Sequence, residues 1–500
     1  MTSIIKVAEK FHSKAEAWDL KAYVLGALFY RFLSEDLVGY INRQERAADD
    51  SLFDYAILDD PQAEFGRGVT IDEKGYFLLP SQLFGAVQAN ANENDNLNET
   101  LAGVFASIAG SAKGTPSEHA FAGLFNNFNP NSEALADTVS KRNDRLTSLL
   151  TDVGSYPVID AAADFDELLR YYVTTAGRKG GDHFTPPTIA QLVARLATTA
   201  NPGARTVYDP AFGSGSLLIK SRKCLANDAK LFGQELVLTN YNMARMNLLL
   251  HSVGFDEFDL AGGESTLTEP THDNDQPFDI IVSNPKWSTS WPGDANPLLI
   301  NDERFAPAGV LAPKKYHDLA FTLHAASWLA LDGVAVLVQF PGTLYRGNTE
   351  AKIRKYLIGN NLIDTVIQLP PDWGYGVTVP GVIVILRKAK RDNAVLFIDG
   401  SLQCTRVGNK NELHEVHQQK ILAAFTDRTE VANFARLVPN ENIALEQYDL
   451  SVSKYVQRTD ERAVIDIRAL NAHIAEIVRH QSDLRSEIDA IVADLEGDSA

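Results

Sequence analysis

The spacing of apolar and polar positions changes three times along the chain, and each change marks a different kind of element. In residues 18–40, Trp18, Tyr23, Ala27, Phe29, Phe32, Leu33 and Val38 recur at helical spacing with acidic residues between them. That pattern predicts a helix with a broad buried face. Residues 76–84 form a short extended piece stopped by Pro80, residues 90–98 are polar and solvated, and residues 135–153 return to helical spacing. No acid/base or metal constellation falls in this part. Residues 164–172 predict another helix. A glycine-rich loop follows, running through Asp182, His183 and Phe184 to Thr185, Pro186 and Pro187, and a helix continues to residue 200. Proline just inside a helix start is a favourable N-terminal signal. Phe184 reads locally either as a hydrophobic staple of that helix or as a ring closing over a ligand.

From residue 206 short apolar runs alternate with helical segments. Strands are expected at 206–208, 230–233, 278–283, 334–340, 362–369, 382–387 and 395–398, and helices at 216–227, 239–252, 318–329 and 350–360. Strand–helix alternation implies an α/β fold with a mostly parallel sheet covered on both faces. The last two strands follow without a helix between them, which predicts a late antiparallel hairpin at the sheet edge. Residues 413–425 read as a helix and residues 440–456 as irregular. At the end, Ile467, Leu470, Ile474, Ile477, Leu484, Ile488, Ile491 and Leu495 step by threes and fours, with Gln481 in one polar slot. This is an a/d heptad over about four repeats. Its stripe needs a partner helix, from this chain or from another subunit. The expected organisation is a helical part over 1–155, an α/β part over 156–400, an irregular helical extension over 401–460 and a docking helix over 461–500.

Composition narrows the class. A chain of 500 residues with 45% hydrophobic and 22% charged residues is that of a globular protein of several domains. No apolar run reaches the roughly 20 residues of a membrane span, and the N-terminus carries no signal-peptide pattern. Cys224 and Cys404 form no metal or disulfide spacing, which fits a reducing cytoplasm. The net charge of −19 opposes nucleic-acid binding by the chain as a whole, because phosphate contacts demand cations. Either the substrate is something else, or a partner supplies much of the grip.

Two stretches carry chemistry. In the first, a strand ends at Asp209 and turns through Pro210, Ala211, Phe212, Gly213, Ser214 and Gly215 into a helix opening at Ser216. Glycines let the backbone turn tightly and approach a ligand. Leu218 occupies the place of the third glycine of a dinucleotide loop, and no Gly-Lys-Ser/Thr is present, so pyrophosphate and P-loop sites are disfavoured. A plain structural turn is the other reading. Glu235 ends the next strand roughly twenty residues on, where an acid reaches both hydroxyls of a ribose.

In the second stretch, the strand at 278–283 ends in Asn284-Pro285-Lys286-Trp287. The amine of an aromatic ring is a poor nucleophile, because its lone pair is delocalised. The Asn284 side-chain oxygen and the Pro285 carbonyl can accept its two hydrogens and stabilise the positive charge that develops on nitrogen. Trp287 offers a face on which a flipped base can stack.

These residues bring out a resemblance over nearly the whole chain. Its motifs are Trp18 through Phe32, Gly181 through Pro186, Asp209 through Leu218 and Phe232 through Glu235, followed by Asn240 through Asn247, Ile300 through Phe305 and Tyr448 through Ser451. The chain resembles the modification (methyltransferase) subunit of type I restriction-modification systems, a gamma-class adenine-N6 DNA methyltransferase. The resemblance implies a Rossmann-like S-adenosylmethionine-dependent methyltransferase fold. It implies S-adenosyl-L-methionine held by Asp182, His183, Phe184, Thr185, Pro186 and Pro187, by Asp209, Phe212, Gly213, Ser214, Gly215 and Ser216, and by Glu235. Phe184 thereby becomes a cofactor contact. Asn284, Pro285 and Trp287 would hold the target adenine in DNA. A specificity subunit would read the sequence, with two methyltransferase subunits to one specificity subunit, and a motor-nuclease subunit can join. Lys286 stands where the family usually has a second proline, and Trp287 replaces Tyr or Phe. Because both acceptors are retained, activity is expected to be kept. A catalytically impaired scaffold of the same assembly is the alternative, and a protein-glutamine N5 methyltransferase the more distant one.

Overall fold

A computed structural model describes residues 3–13, 16–48, 52–176, 184–374, 377–408, 410–457 and 467–497. The chain divides into two compact units, Met1–Val456 and Gln457–Ala500.

The first unit is built on a nine-stranded sheet. Its strands are β1 (Thr206–Asp209), β2 (Lys230–Glu235), β3 (Phe258–Gly262), β4 (Phe278–Ser283) and β5 (Leu329–Gln339), then β6 (Ile363–Gln368), β7 (Val382–Leu386), β8 (Ala394–Asp399) and β11 (Ala435–Pro439). A separate two-stranded ribbon joins β9 (Thr405–Val407) and β10 (Lys410–Glu412). The order across the sheet is β11-β8-β6-β7-β5-β4-β1-β2-β3. Strands β1 to β5 run parallel to one another, and β6 runs parallel to β8. Strand β7 lies antiparallel between β5 and β6, and β11 antiparallel to β8.

The expected parallel sheet with late antiparallel strands is therefore present, but its pairing differs from the expectation. Strands β7 and β8 do not form a hairpin. Strand β7 is interior, and its five residues Val382–Leu386 are all buried, as a strand between two others requires. Strand β3, absent from the expected set, closes one edge. Only Phe258 and Leu260 of its five residues point into the core, so its sequence carries little apolar signal.

Alternation along the strands feeds two cores. Val207, Ile280, Val282, Val334 and Val336 face one side, and their neighbours Tyr208, Ile281, Ala335 and Leu337 face the other. The first side continues without a break into the N-terminal helices. The long helix Ala17–Ala48 buries Leu20, Val24, Leu28, Phe29 and Leu33 in that same cluster. Polar ties reinforce it. Arg245, on the helix Leu238–Leu250, donates to the carbonyls of His119 and Ala122 at 2.9 Å each, and Asn242 donates to Asn127 at 2.8 Å.

Other helices lie close to expectation, at Val139–Ser155, Ala161–Ala176, Pro187–Ala200, Ser216–Cys224, Asp318–Trp328, Asn348–Gly359 and Glu415–Asp427. Residues 440–456, expected to be irregular, contain two short helices, Asn440–Leu445 and Val452–Tyr455. Among the described residues no helix is long and apolar enough to cross a membrane.

The second unit holds one helix, Ile467–Gly497. Its a/d side chains Leu470, Ile474, Ile477, Leu484, Ile488 and Ile491 are between 46% and 60% exposed. An apolar stripe with that spacing is suited to packing against a partner helix.

Candidate active site

The chain runs β1, β2, β3 in one direction across the sheet and then returns to place β4 on the other side of β1. Open α/β sheets bind ligands at such a reversal, beyond the carboxyl ends of the strands. Both predicted motifs leave the sheet there. Beyond β1 and β4 lies a cleft of about 420 Å³, whose lining includes Gly213, Glu235, Thr266, Asn284, Pro285 and Lys286.

On the β1 side, Gly213 and Gly215 both adopt the left-handed conformation, at φ 56 and 78, where glycine alone carries no Cβ penalty. Gly215 caps the helix Ser216–Cys224, and no side chain caps that end, so the first amides of the helix are left for a ligand. The buried Ser214 carbonyl accepts from Asn247 at 2.9 Å, and Phe212 is buried beneath the turn.

Glu235 ends β2. One of its carboxylate oxygens accepts from the Gly213 amide and the other from the Val237 amide, each at 2.9 Å. Burial raises its pKa, and these backbone donors pull the other way. The acid thus shapes the glycine turn and also presents a carboxylate to the cleft. Asp209 is fully buried. Its Oδ1 accepts from the Ala211 amide and from Ser283 Oγ, at 2.9 Å each, while Oδ2 has no partner. Desolvation lifts its pKa to about 7.

On the β4 side, Asn284 Nδ2 donates to Thr185 Oγ1 at 3.0 Å. This contact joins the loop before the helix Pro187–Ala200 to the amine-binding motif, 99 residues away in sequence. It also leaves Asn284 Oδ1 as the acceptor for an incoming donor. Pro186 is buried at the helix start, Pro187 is its first residue, and Phe184 packs on the main core. The contact with the core is what a staple makes. Asp182 and His183 lie outside the described residues.

Trp287 is turned from the cleft wall into an aromatic cluster, 5.5 Å from Trp373 and 6.0 Å from Phe340 between ring centroids. The indole nitrogens of Trp287 and Trp373 are both buried without a hydrogen-bond partner. Gly381 backs the pair, since a Cβ there would meet both rings at about 3 Å.

Several residues at this site carry no local sequence signal. Leu236 is 59% exposed at the cleft and offers an apolar face beside Glu235. Arg304, buried, donates to the Thr266 and Leu267 carbonyls at 2.7 and 3.1 Å and so fixes the segment after β3 that lines the cleft. Trp373 reaches Trp287 from a loop 86 positions on. Periodicity and spacing could not reveal the roles of Arg304 and Trp373, because each acts through a long-range contact.

The donor set fits an adenosyl group carrying a methionine. The glycine turn allows close backbone approach, Glu235 suits a ribose diol, Leu236 suits a flat ring, and the uncapped helix end suits a carboxylate.

Comparison with known proteins places the chain. The N-6 DNA Methylase family model matches residues 159–463, and the HsdM N-terminal domain model matches residues 2–153. The type I restriction enzyme MpnII methylase subunit of Mycoplasma pneumoniae is 38% identical, covering 99% of this chain and 96% of its own. The type I restriction enzyme MjaIX methylase subunit of Methanocaldococcus jannaschii is 25% identical over 90% of this chain and 82% of its own. Among solved structures, the type I restriction-modification methyltransferase subunit of Streptococcus thermophilus superposes with a TM-score of 0.82 at 30% identity, covering 91% of this chain and 98% of that one. The chain belongs to the N-6 DNA methylase family, as a methylase subunit of the type I restriction-modification kind.

Proposed function

We propose that this chain methylates adenine N6 in DNA from S-adenosyl-L-methionine, at sites chosen by a separate specificity subunit. The observation that carries the reading is the placement of Asn284 and Pro285 in the wall of the same cleft as Gly213 and Glu235. On this reading a methyl-donor site and an amine-gripping site share one cavity.

Glu235 would take the ribose, the amides at the start of the helix Ser216–Cys224 the methionine carboxylate, and Leu236 one face of the adenine ring. Thr185 and Phe184 would close the cleft from the other side, together with Asp182 and His183. When bound, the cofactor supplies an electrophilic methyl group on a positively charged sulfur. Asn284 Oδ1 and the Pro285 carbonyl accept the two hydrogens of the target amine, which draws its lone pair out of the ring and steadies the developing charge. The amine proton is lost to solvent after transfer, so no strong base is required. Trp287, which packs on Trp373 outside the cleft lining, would turn toward the cleft to stack on the extruded base.

The charge of −19 is reconciled locally. Lys286 lines the cleft, Lys314 and Lys315 lie on the segment whose Lys314 carbonyl accepts from the Trp291 amide, and all three are exposed, while Arg346 stacks on Tyr316 at 3.8 Å. This cationic rim suits the phosphates flanking a flipped nucleotide. The rest of the grip would come from the specificity subunit, docked on the apolar stripe of the helix Ile467–Gly497, with two methylase chains to one specificity chain. A motor-nuclease subunit could then join for cleavage. The assembly would work in the cytoplasm, and the division at about residues 155, 400 and 460 is its domain plan. An inactive scaffold is the second reading, favoured only by Lys286 at the place of a proline.

The test is transfer of labelled methyl to amplified, hence unmodified, host DNA by the chain plus its specificity partner. Label recovered as N6-methyladenine supports the proposal. Cofactor binding without transfer supports the scaffold.

A further inference from the structure

The loss of the second proline removes a restraint on the backbone around Lys286, yet the loop is tied down on both sides of Trp287. His317 Nε2 donates to the Lys286 carbonyl at 2.6 Å. The carboxylate of Asp318, buried to 1% exposure, accepts from the Ser288 amide at 3.1 and 3.2 Å. The His317 amide donates to the Thr289 carbonyl at 3.1 Å. Ser288 itself sits at φ 51, a left-handed conformation that a serine holds only when its surroundings impose it. The anchor is rigid. Asp318 opens the helix Asp318–Trp328, and its carbonyl accepts from Gln339 at the end of β5.

We propose that His317 and Asp318 are positioning residues, a backbone clamp that sets the Asn284–Thr289 loop for the target base and replaces the restraint of the absent proline. The inference rests on the methyltransferase reading for its effect on rate, but not for its effect on the loop. Asp318 lies behind the cleft wall and His317 is part of its lining, and the clamp requires contact with substrate from neither. The clamp acts by fixing the carbonyl before Trp287 and the amide after it. Those two points set the plane of the indole and the direction of the Pro285 carbonyl.

Two measurements test it. The first is hydrogen exchange of the full chain alone. Amides across residues 284–289 are expected to be protected in the wild type and to exchange at least about tenfold faster in His317→Ala. His317→Gln, which keeps a donor, restores protection. Asp318→Asn, which keeps an acceptor, behaves likewise, while Asp318→Ala does not. The second is methyl transfer by the assembled complex on amplified host DNA. His317→Ala is expected to lower kcat by roughly 10- to 100-fold, the scale of a misplaced reacting group, with KM and Kd for the cofactor unchanged. His317→Gln recovers to within about threefold. Unprotected amides in the wild type, full activity in His317→Ala, or a glutamine variant as impaired as the alanine one each overturn the clamp. A wild-type complex that transfers no methyl overturns the functional reading instead, and the exchange arm still decides the clamp.

Discussion

Ser283 Oγ donates a 2.9 Å hydrogen bond to Asp209 Oδ1, joining the last residue of β4 to the last residue of β1. Both residues are wholly buried. Each stands immediately before a functional loop, the glycine turn on one side and Asn284-Pro285 on the other. Because the two strands also pair in register at Val207–Ile280 and Tyr208–Ile281, this bond continues the ladder past its last backbone contact. It sets the spacing of the two loops.

Replacing Ser283 by Ala leaves Asp209 Oδ1 with the Ala211 amide alone, beside an Oδ2 that already lacks a partner. A lost hydrogen bond to a buried group costs about 1–3 kcal/mol. A lower Tm together with slower methyl transfer is the expected pair of effects. An unchanged Tm would mean that the bond contributes nothing.

Asp209 also gives stability a pH dependence. Its carboxyl titrates at about 7 in the folded chain against an ordinary 3.8, a difference on the order of 4 kcal/mol. Between those values the folded chain holds a proton that the unfolded chain has released. The contribution of this group is therefore complete below about pH 4 and falls as pH rises toward about 7. Asp209→Asn has no such titration. Its Tm relative to wild type should rise between about pH 5 and about pH 8. A constant offset across that range would place the titration elsewhere.

Glu235 holds the Gly213 amide and lines the cleft, and the proposed function gives it the ribose as well. Glu235→Ala is expected to weaken S-adenosylmethionine binding by roughly 10- to 100-fold, the value of one or two charged hydrogen bonds. Calorimetry on the full chain checks this. Affinity within about twofold of wild type would remove Glu235 from the cofactor site.

The cationic rim should show in the salt dependence of DNA binding. Each of Lys286→Gln, Lys314→Gln and Lys315→Gln in the assembled complex should reduce the slope of log K against log salt by about 1 if that lysine meets a phosphate. Slopes identical to wild type would move the DNA path off this face.

The two halves of the site were unequally legible in the sequence. The glycine turn, Glu235 and Asn284-Pro285 stand out because each pairs a strand end with a residue type suited to ligand chemistry, and because they occur together in that order. Strand order is another matter. Nothing local in Val382–Leu386 says that it inserts between β5 and β6, since its apolar run suits any buried strand. Trp373, His317 and Asp318 were likewise hidden. They act through backbone atoms or rings far off in sequence, and alone they resemble ordinary core or loop residues. The terminal heptad was plain as a pattern, because its period is intrinsic to one helix. Which helix would pack on it, from this chain or from another subunit, is not contained in that pattern.

The central claim is that Asn284 grips an adenine amine beside a methyl donor, and one comparison tests it most directly. Wild type and Asn284→Ala, each assembled with the specificity subunit, would be given labelled S-adenosylmethionine and amplified host DNA, and N6-methyladenine would be counted. Transfer by the wild type, and loss of at least about a thousandfold in the variant with cofactor affinity and assembly intact, is the predicted result. Equal transfer by both, or none by the wild type despite bound cofactor, would contradict it.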